Sequence, residues 1–187
     1  MKKKTYIAML RGINVSASNM IKMPVLQKIF ETAGYENVRT YIQSGNVLFN
    51  HKESGREELA QHIREEVKKS TGSDVPVIVL ELEDLRKVQQ SNPFLKSRQE
   101  DVTKLHVTFL AQKPDKEKLG RIETDKYLPD EFIPDEKSLY LFCPNGYGKT
   151  KLNNNFFESK LKLDATTRNW KTVNELVRLG EELAGMI

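Results

Sequence analysis

The sequence predicts an α+β fold made of two related βαββαβ units, each followed by a trailing helix. Three observations point to it. Strand-period and helix-period segments alternate in the same order twice along the 187 residues. No apolar run approaches the roughly 20 residues that a membrane span needs. A helix-breaking Asn92-Pro93 falls where the first set of elements ends, because the residue before proline is pushed out of the helical region. With 38% hydrophobic and 30% charged residues, the chain can bury a core in each half.

In the first half, residues 5–10 alternate as a strand. A helix starts near Pro24, a favoured first-turn residue, and Val25, Leu26, Ile29, Phe30 and Ala33 recur at helical spacing until Gly34. Residues 38–43 and 46–50 are rich in β-branched and aromatic side chains and flank Ser44-Gly45, a two-residue hairpin signal. A helix over 57–70 with Leu59, Ile63 and Val67 on one face, a strand over 75–80 and a helix over 83–90 complete the set. The second half predicts a strand at 105–111, a helix at 116–122, strands near Phe132 and at 139–142, a helix at 151–161, a strand at 165–167 and a helix at 170–184. Both halves match a ferredoxin-like split unit, with domains at 1–97 and 98–187 and a duplication inferred from element order.

Charge alone does not name a partner. The net charge is +4, and the excess of the first half equals Lys2, Lys3 and Lys4. Local asymmetry is stronger: residues 143–172 hold six basic side chains against Glu158 and Asp164, while residues 123–136 hold six acidic ones against Lys126. Solvated surfaces of opposite sign explain this as simply as binding does. The lone Cys143 cannot form an internal disulfide. The start Met1-Lys2-Lys3-Lys4 leads into a strand pattern and not a longer signal-peptide core, so a reducing cytosol and no membrane are expected.

Three polar clusters are candidates for chemistry. In a ferredoxin-like sheet the end of the first strand lies beside the start of the third. This brings Arg11, Gly12 and Asn14 to Gln43, Ser44 and Asn46, where a planar or anionic group could be held; a turn network satisfying backbone groups is the alternative. On the expected helix from Lys151, helical spacing groups Lys151, Asn154 and Glu158. Lysine and glutamate are a possible proton-transfer pair, or simply an exposed face. Thr166, Thr167, Arg168 and Asn169 precede the last helix, whose N-terminus with a guanidinium suits an anion or phosphate; an ordinary cap, from Asn169 or from Thr172 with Glu175, is the plainer option. Gly148-Lys149-Thr150 lacks a phosphate loop's first glycine, where Cys143 stands. His51, His62 and His106 lack metal-ligand spacing, and Cys143 has no activating partner in the sequence.

At Leu10-Arg11-Gly12-Ile13-Asn14-Val15, Tyr41-Ile42-Gln43-Ser44-Gly45-Asn46-Val47, Asn92-Pro93-Phe94 and Ala165-Thr166-Thr167-Arg168-Asn169-Trp170, the chain resembles a bacterial family of unknown function, DUF1697, nearly end to end. The resemblance implies a cytosolic bacterial protein of two related α+β subdomains and no established activity or cofactor. It also places the family's polar signature on Arg11, Gly12, Asn14, Gln43, Ser44, Gly45 and Asn46, and on Lys151, Asn154, Glu158, Thr166, Thr167, Arg168, Asn169 and Trp170. The chain departs from the family at Ser16-Ala17, where a glycine pair is usual, and at Lys162, where a glycine is usual. The expected function is binding of a small anionic ligand, with Arg168 and the last helix at its centre, Lys151 and Glu158 as acid-base partners, and Arg11, Gln43 and Asn46 as a second wall. Nucleic-acid binding is the rival, although Val47-Leu48-Phe49-Asn50 lacks the aromatic pattern of RNA-recognition sheets. A pure interaction module is the third reading.

Overall fold

The computed structural model describes residues 2–15 and 17–187; Ser16, one of the two departures from the family pattern, lies outside them. Its strands and helices fall into two compact units. One comprises Met1–Arg86 with Glu175–Ile187, the other Lys87–Asn174. The C-terminal segment returns to the first unit. That return has a local cause: the Asn50 amide donates to the Leu183 carbonyl at 3.1 Å, Arg39 pairs with Glu182 at 2.9 Å, and Arg86 with Glu181 at 3.1 Å.

In the first unit, β1 (Lys3–Leu10), β2 (Glu36–Tyr41), β3 (Asn46–Lys52) and β4 (Val77–Glu81) form an antiparallel sheet in the order β2-β3-β1-β4, the ferredoxin-like arrangement. Residues of one parity, Tyr6, Ala8, Leu10, Val47, Phe49, Val77 and Val79, meet Leu26, Ile29 and Phe30 of α1 (Met23–Thr32) and Leu59, Ile63 and Val67 of α2 (Arg56–Thr71). Phe49 is the hub, with ring centroids 5.6 Å from Tyr6, 5.6 Å from Phe30 and 4.6 Å from Tyr35. The opposite parity, Ile7, Met9, Leu48, Ile78 and Leu80, is buried as well. Continuous apolar runs in β1 and β4 reflect burial on both faces. The hairpin differs from the two-residue turn expected: Tyr41 pairs with Asn46, so residues 42–45 all lie in the turn. Ile42 and Gly45 take left-handed φ of 51° and 79°. The Asn46 amide closes the loop by donating to the Tyr41 carbonyl and the Ser44 hydroxyl.

The chain then runs through α3 (Leu82–Gln90) and a short α4 (Pro93–Ser97), capped by Asn92 accepting the Phe94 N–H at 3.0 Å. Asn92-Pro93 marks a break in the sequence, and Pro93 also starts this helix. In the second unit, β5 (Leu105–Leu110), β6 (Glu131–Asp135), β7 (Ser138–Phe142) and β8 (Ala165–Asn169) repeat the arrangement as β6-β7-β5-β8, with α5 (Lys116–Gly120) and α6 (Asn154–Leu161) following β5 and β7. Leu110, Phe132, Leu139, Leu141, Cys143, Phe157, Leu161 and Ala165 form the core beneath these helices. On the other parity, Val107, Phe109 and Tyr140 are at most 1% exposed. Helix α7 (Trp170–Ala184) follows β8 directly. Among the described residues no helix is long and apolar enough to cross a membrane.

Two boundaries bear on function. The helix expected from Lys151 begins at Asn154, because Asn153 caps it through the Phe156 N–H at 3.0 Å. Strand β8 continues two residues beyond the expected Thr167, so Arg168 and Asn169 are strand residues. At the other end of α6, Lys162 sits in the left-handed cap conformation at φ 59°, the position where the resembled family has glycine.

Two substitutions test these local requirements by urea unfolding. Lys162→Gly relieves the left-handed cap and is expected to stabilise the protein by about 1 kcal/mol. Gly45→Ala combines a positive φ with a Cβ that would lie 2.7 Å from Ile13 Cδ1, and is expected to destabilise by about 2 kcal/mol or more.

Candidate functional site

The first polar cluster forms at the β1 end of the first unit. Leu10 N–H donates to the Gly45 carbonyl at 2.9 Å, and Met9 lies opposite Asn46. Asn14, in the left-handed region at φ 58°, joins three segments. Its amide donates to the Ile21 and Gln43 carbonyls at 2.9 and 2.8 Å, and its Oδ1 accepts the Ile21 N–H at 2.8 Å. Arg11 N–H donates to the Pro76 carbonyl, and the Arg11 and Ser44 side chains are half-buried while Gln43 is exposed. Asn14 and Asn46 therefore spend their amides on backbone groups that the loop and hairpin would otherwise leave unsatisfied. Gathering of Arg11, Asn14, Gln43, Ser44 and Asn46 at one corner is what the topology produces, and the Asn14 and Asn46 amides bond there as a turn network does.

The remaining candidates lie in the second unit and are divided by the pleat of β8. Paired residues share a face, and Val107 lies opposite both Tyr140 and Arg168. Thr166 and Arg168 consequently face away from α6. Arg168 is 7% exposed, and its Nη1 donates to Thr166 Oγ1 at 2.7 Å and to the Thr167 carbonyl at 2.9 Å. Burial pulls its guanidinium down to about 10, below the usual arginine range. Thr167 and Asn169 point to the opposite side, toward α6. There Thr167 Oγ1 donates to Asn154 Oδ1 at 2.7 Å and lies 2.7 Å from Thr108 Oγ1. Asn169 Oδ1 accepts the Thr172 N–H at 2.8 Å, making Asn169, and not Thr172, the cap of α7.

Lys151 and Glu158 do not share the helical face expected of them. Lys151 precedes the Asn153 cap and is exposed, whereas Glu158 lies in the second turn of α6 and accepts the Ala165 N–H at 3.2 Å, at the opposite end of β8 from Asn169. About 6 Å of helix rise separates Asn154 from Glu158.

His106, which the sequence shows only as a histidine without metal-ligand spacing, completes the corner with Thr108. His106 lies opposite Asn169 in the β5–β8 ladder and stacks on Tyr147, with centroids 4.8 Å apart and planes 23° apart. Its Nδ1 is buried without a hydrogen-bond partner, and burial holds its pKa below the ordinary histidine value. A signal existed: His106 and Thr108 are the polar residues of an otherwise apolar strand, spaced by two and so on one face. Cys143, at the end of β7 on the same face, is fully buried. Burial pushes its thiol up to about 11, with Asp130 adding to the shift and Thr150 opposing it. No group of three or more His, Cys, Asp or Glu among the described residues could hold a metal ion.

Three outcomes follow from this geometry. Cys143 is expected to resist a thiol reagent at pH 8 in the native protein and to react fully in guanidinium, as the absorbance of the released thiolate would show. Arg168→Ala is expected to cost about 2–4 kcal/mol in urea unfolding, since it empties a buried position and strands its hydrogen-bond partners. Histidine pKa values lowered in the fold, here His106 and His51, mean that the unfolded chain binds more protons below about pH 6.5. Stability should therefore fall as pH drops through that value, and His106→Gln should flatten the fall in a series of unfolding curves.

The fold is shared with a solved structure, a conserved bacterial protein from Streptococcus pneumoniae. It is 22% identical, with a TM-score of 0.75 over 96% of this chain and 99% of that one. The comparison with curated proteins finds no match. The sequence model described as "Protein of unknown function (DUF1697)" matches residues 3–140, from β1 through the middle of β7. With most of both sheets inside that match, the chain belongs to the DUF1697 family.

Proposed function

We propose that the second unit binds a small anionic ligand, a carboxylate or phosphoryl group, at the corner where β8 runs into α7, and that it does so in the cytosol, to which a lone buried cysteine is suited. The floor of this site is neutral and polar: Asn154, Thr167, Asn169 and His106. The N-termini of α6 and α7 both open beside it, through Asn154 and Asn169. The observation that carries the reading is the rim. Lys149, Lys151 and Lys171 are exposed there, three cations at one corner, and among the described residues none of them pairs with a carboxylate. Arg168 contributes a buried positive charge on the other side of the strand. Lys151 precedes the Asn153 cap while Glu158 accepts the Ala165 N–H from the second turn of α6, and the reading is therefore one of binding.

The test is thermal unfolding at low ionic strength with inorganic pyrophosphate and with citrate. Either anion is expected to raise Tm, by about 2.7 kcal/mol of stabilisation at a hundredfold excess over Kd. Asn169→Asp retains a good helix cap and sets a negative charge in the floor. It should unfold near the parent temperature and lose the anion response. An unchanged response in that variant, or none in the parent protein, refutes the site.

A further inference from the structure

We propose that the outer face of α6 is a track for single-stranded nucleic acid, which shares Lys149 and Lys151 with the rim of the corner at its N-terminal end and extends beyond it. Lys149 and Lys151 precede the helix, and Lys160 and Lys162 close it; all four are exposed and, among the described residues, in no ion pair. The helix between them is about 12 Å long. A single small anion cannot reach both ends, whereas a polymer with regularly spaced charges can. Between the lysine pairs the solvent side holds Asn155 and Ser159, neutral groups of the kind that hydrogen-bond phosphate oxygens. The one carboxylate of the helix, Glu158, is turned to the Ala165 N–H.

Beside this strip lies a half-exposed aromatic pair. The Phe156 ring meets Tyr127 edge-on with centroids 4.9 Å apart, and Lys160 Nζ lies 6.0 Å from the Phe156 centroid. Cations flanking rings that a base can stack on distinguish a nucleic-acid strand from an acidic peptide. The sheet face on which RNA-recognition folds stack bases is closed in this unit, since Val107, Phe109 and Tyr140 are at most 1% exposed. A strand is left with the helix face.

The experiment is fluorescence anisotropy of a labelled 12-mer of uridylate, titrated with the full chain between about 50 and 300 mM KCl, with a labelled 12-mer of glutamate as comparison. Four lysine–phosphate contacts predict a slope of log affinity on log salt of about −3. Lys160→Gln with Lys162→Gln should halve that slope and weaken binding about tenfold at 50 mM KCl, while leaving the pyrophosphate shift in Tm unchanged. Phe156→Leu keeps an apolar contact for Phe157 and should weaken binding about fivefold without altering the slope. Absence of binding at 50 mM KCl, a double variant with the parent slope, or equal affinity for the glutamate polymer each overturns the proposal. None of those results bears on the corner site, which is read by pyrophosphate and Asn169→Asp.

Discussion

Strict alternation along doubly buried strands is the constraint on which the rest of this molecule depends. In the first sheet both parities are apolar and buried over much of the central strands, and in the second β5 places His106 and Thr108 on one face and Val107 and Phe109 on the other, so a side chain's position in the ladder decides its environment. Strand β8 shows the consequence most clearly. Four polar residues in a row, Thr166 to Asn169, look like one cluster when read as a string. The pleat sends Thr166 and Arg168 into one interior and Thr167 and Asn169 to the α6 side, where Thr108 and His106 stand opposite. A guanidinium beside a helix N-terminus in sequence is therefore a buried group behind the strand, and the accessible polar corner is built from its neighbours.

Asparagine does much of the work of ending elements in this fold. Asn46 closes the β2–β3 turn, Asn92 starts α4, Asn153 starts α6 and Asn169 starts α7, each by satisfying backbone groups that regular structure leaves over. Asn14 holds a left-handed residue, a loop and a hairpin together through a single amide. Three of these positions, Asn14, Asn46 and Asn169, belong to the polar signature that the family resemblance picks out. A motif of this kind needs no ligand to explain it: an amide bridging main-chain groups at a fixed distance cannot be lengthened, shortened or made apolar without stranding a donor or acceptor.

The fold was legible because hydrophobic period is a local property. The strand pattern of β1, the helical spacing of Leu59, Ile63 and Val67, and the repeat of element order are all visible in short windows, and they suffice for two ferredoxin-like units. Capping and pairing were less legible, because they turn on which of several adjacent polar residues wins. Asn153 prevailed over Lys151 as the start of α6, and pairing with β5 carried β8 past Thr167. The unit boundary was hidden for a further reason: residues 175–187 belong with the first unit through contacts such as Asn50 with Leu183, more than 130 positions apart. The spacing of His106 excludes a metal ligand and says no more, because its place opposite Asn169 depends on a register that no single strand specifies.

The charge on α6 is physically instructive because the helix has the means to neutralise it and does not. Glu158 and Lys162 have the i,i+4 spacing, in the favourable order, at which helices ordinarily form ion pairs. On α7 the same spacing joins Arg178 to Glu182, with Glu175 on its other side. On α6 the left-handed cap takes Lys162 out of the helical path, and the Glu158 carboxylate accepts a backbone N–H from the first residue of β8. One carboxylate oxygen thus fastens the strand to the helix. Positive charge is left at both ends of α6, where mutual repulsion disfavours the folded state slightly and a polyanion long enough to span the helix meets both lysine pairs.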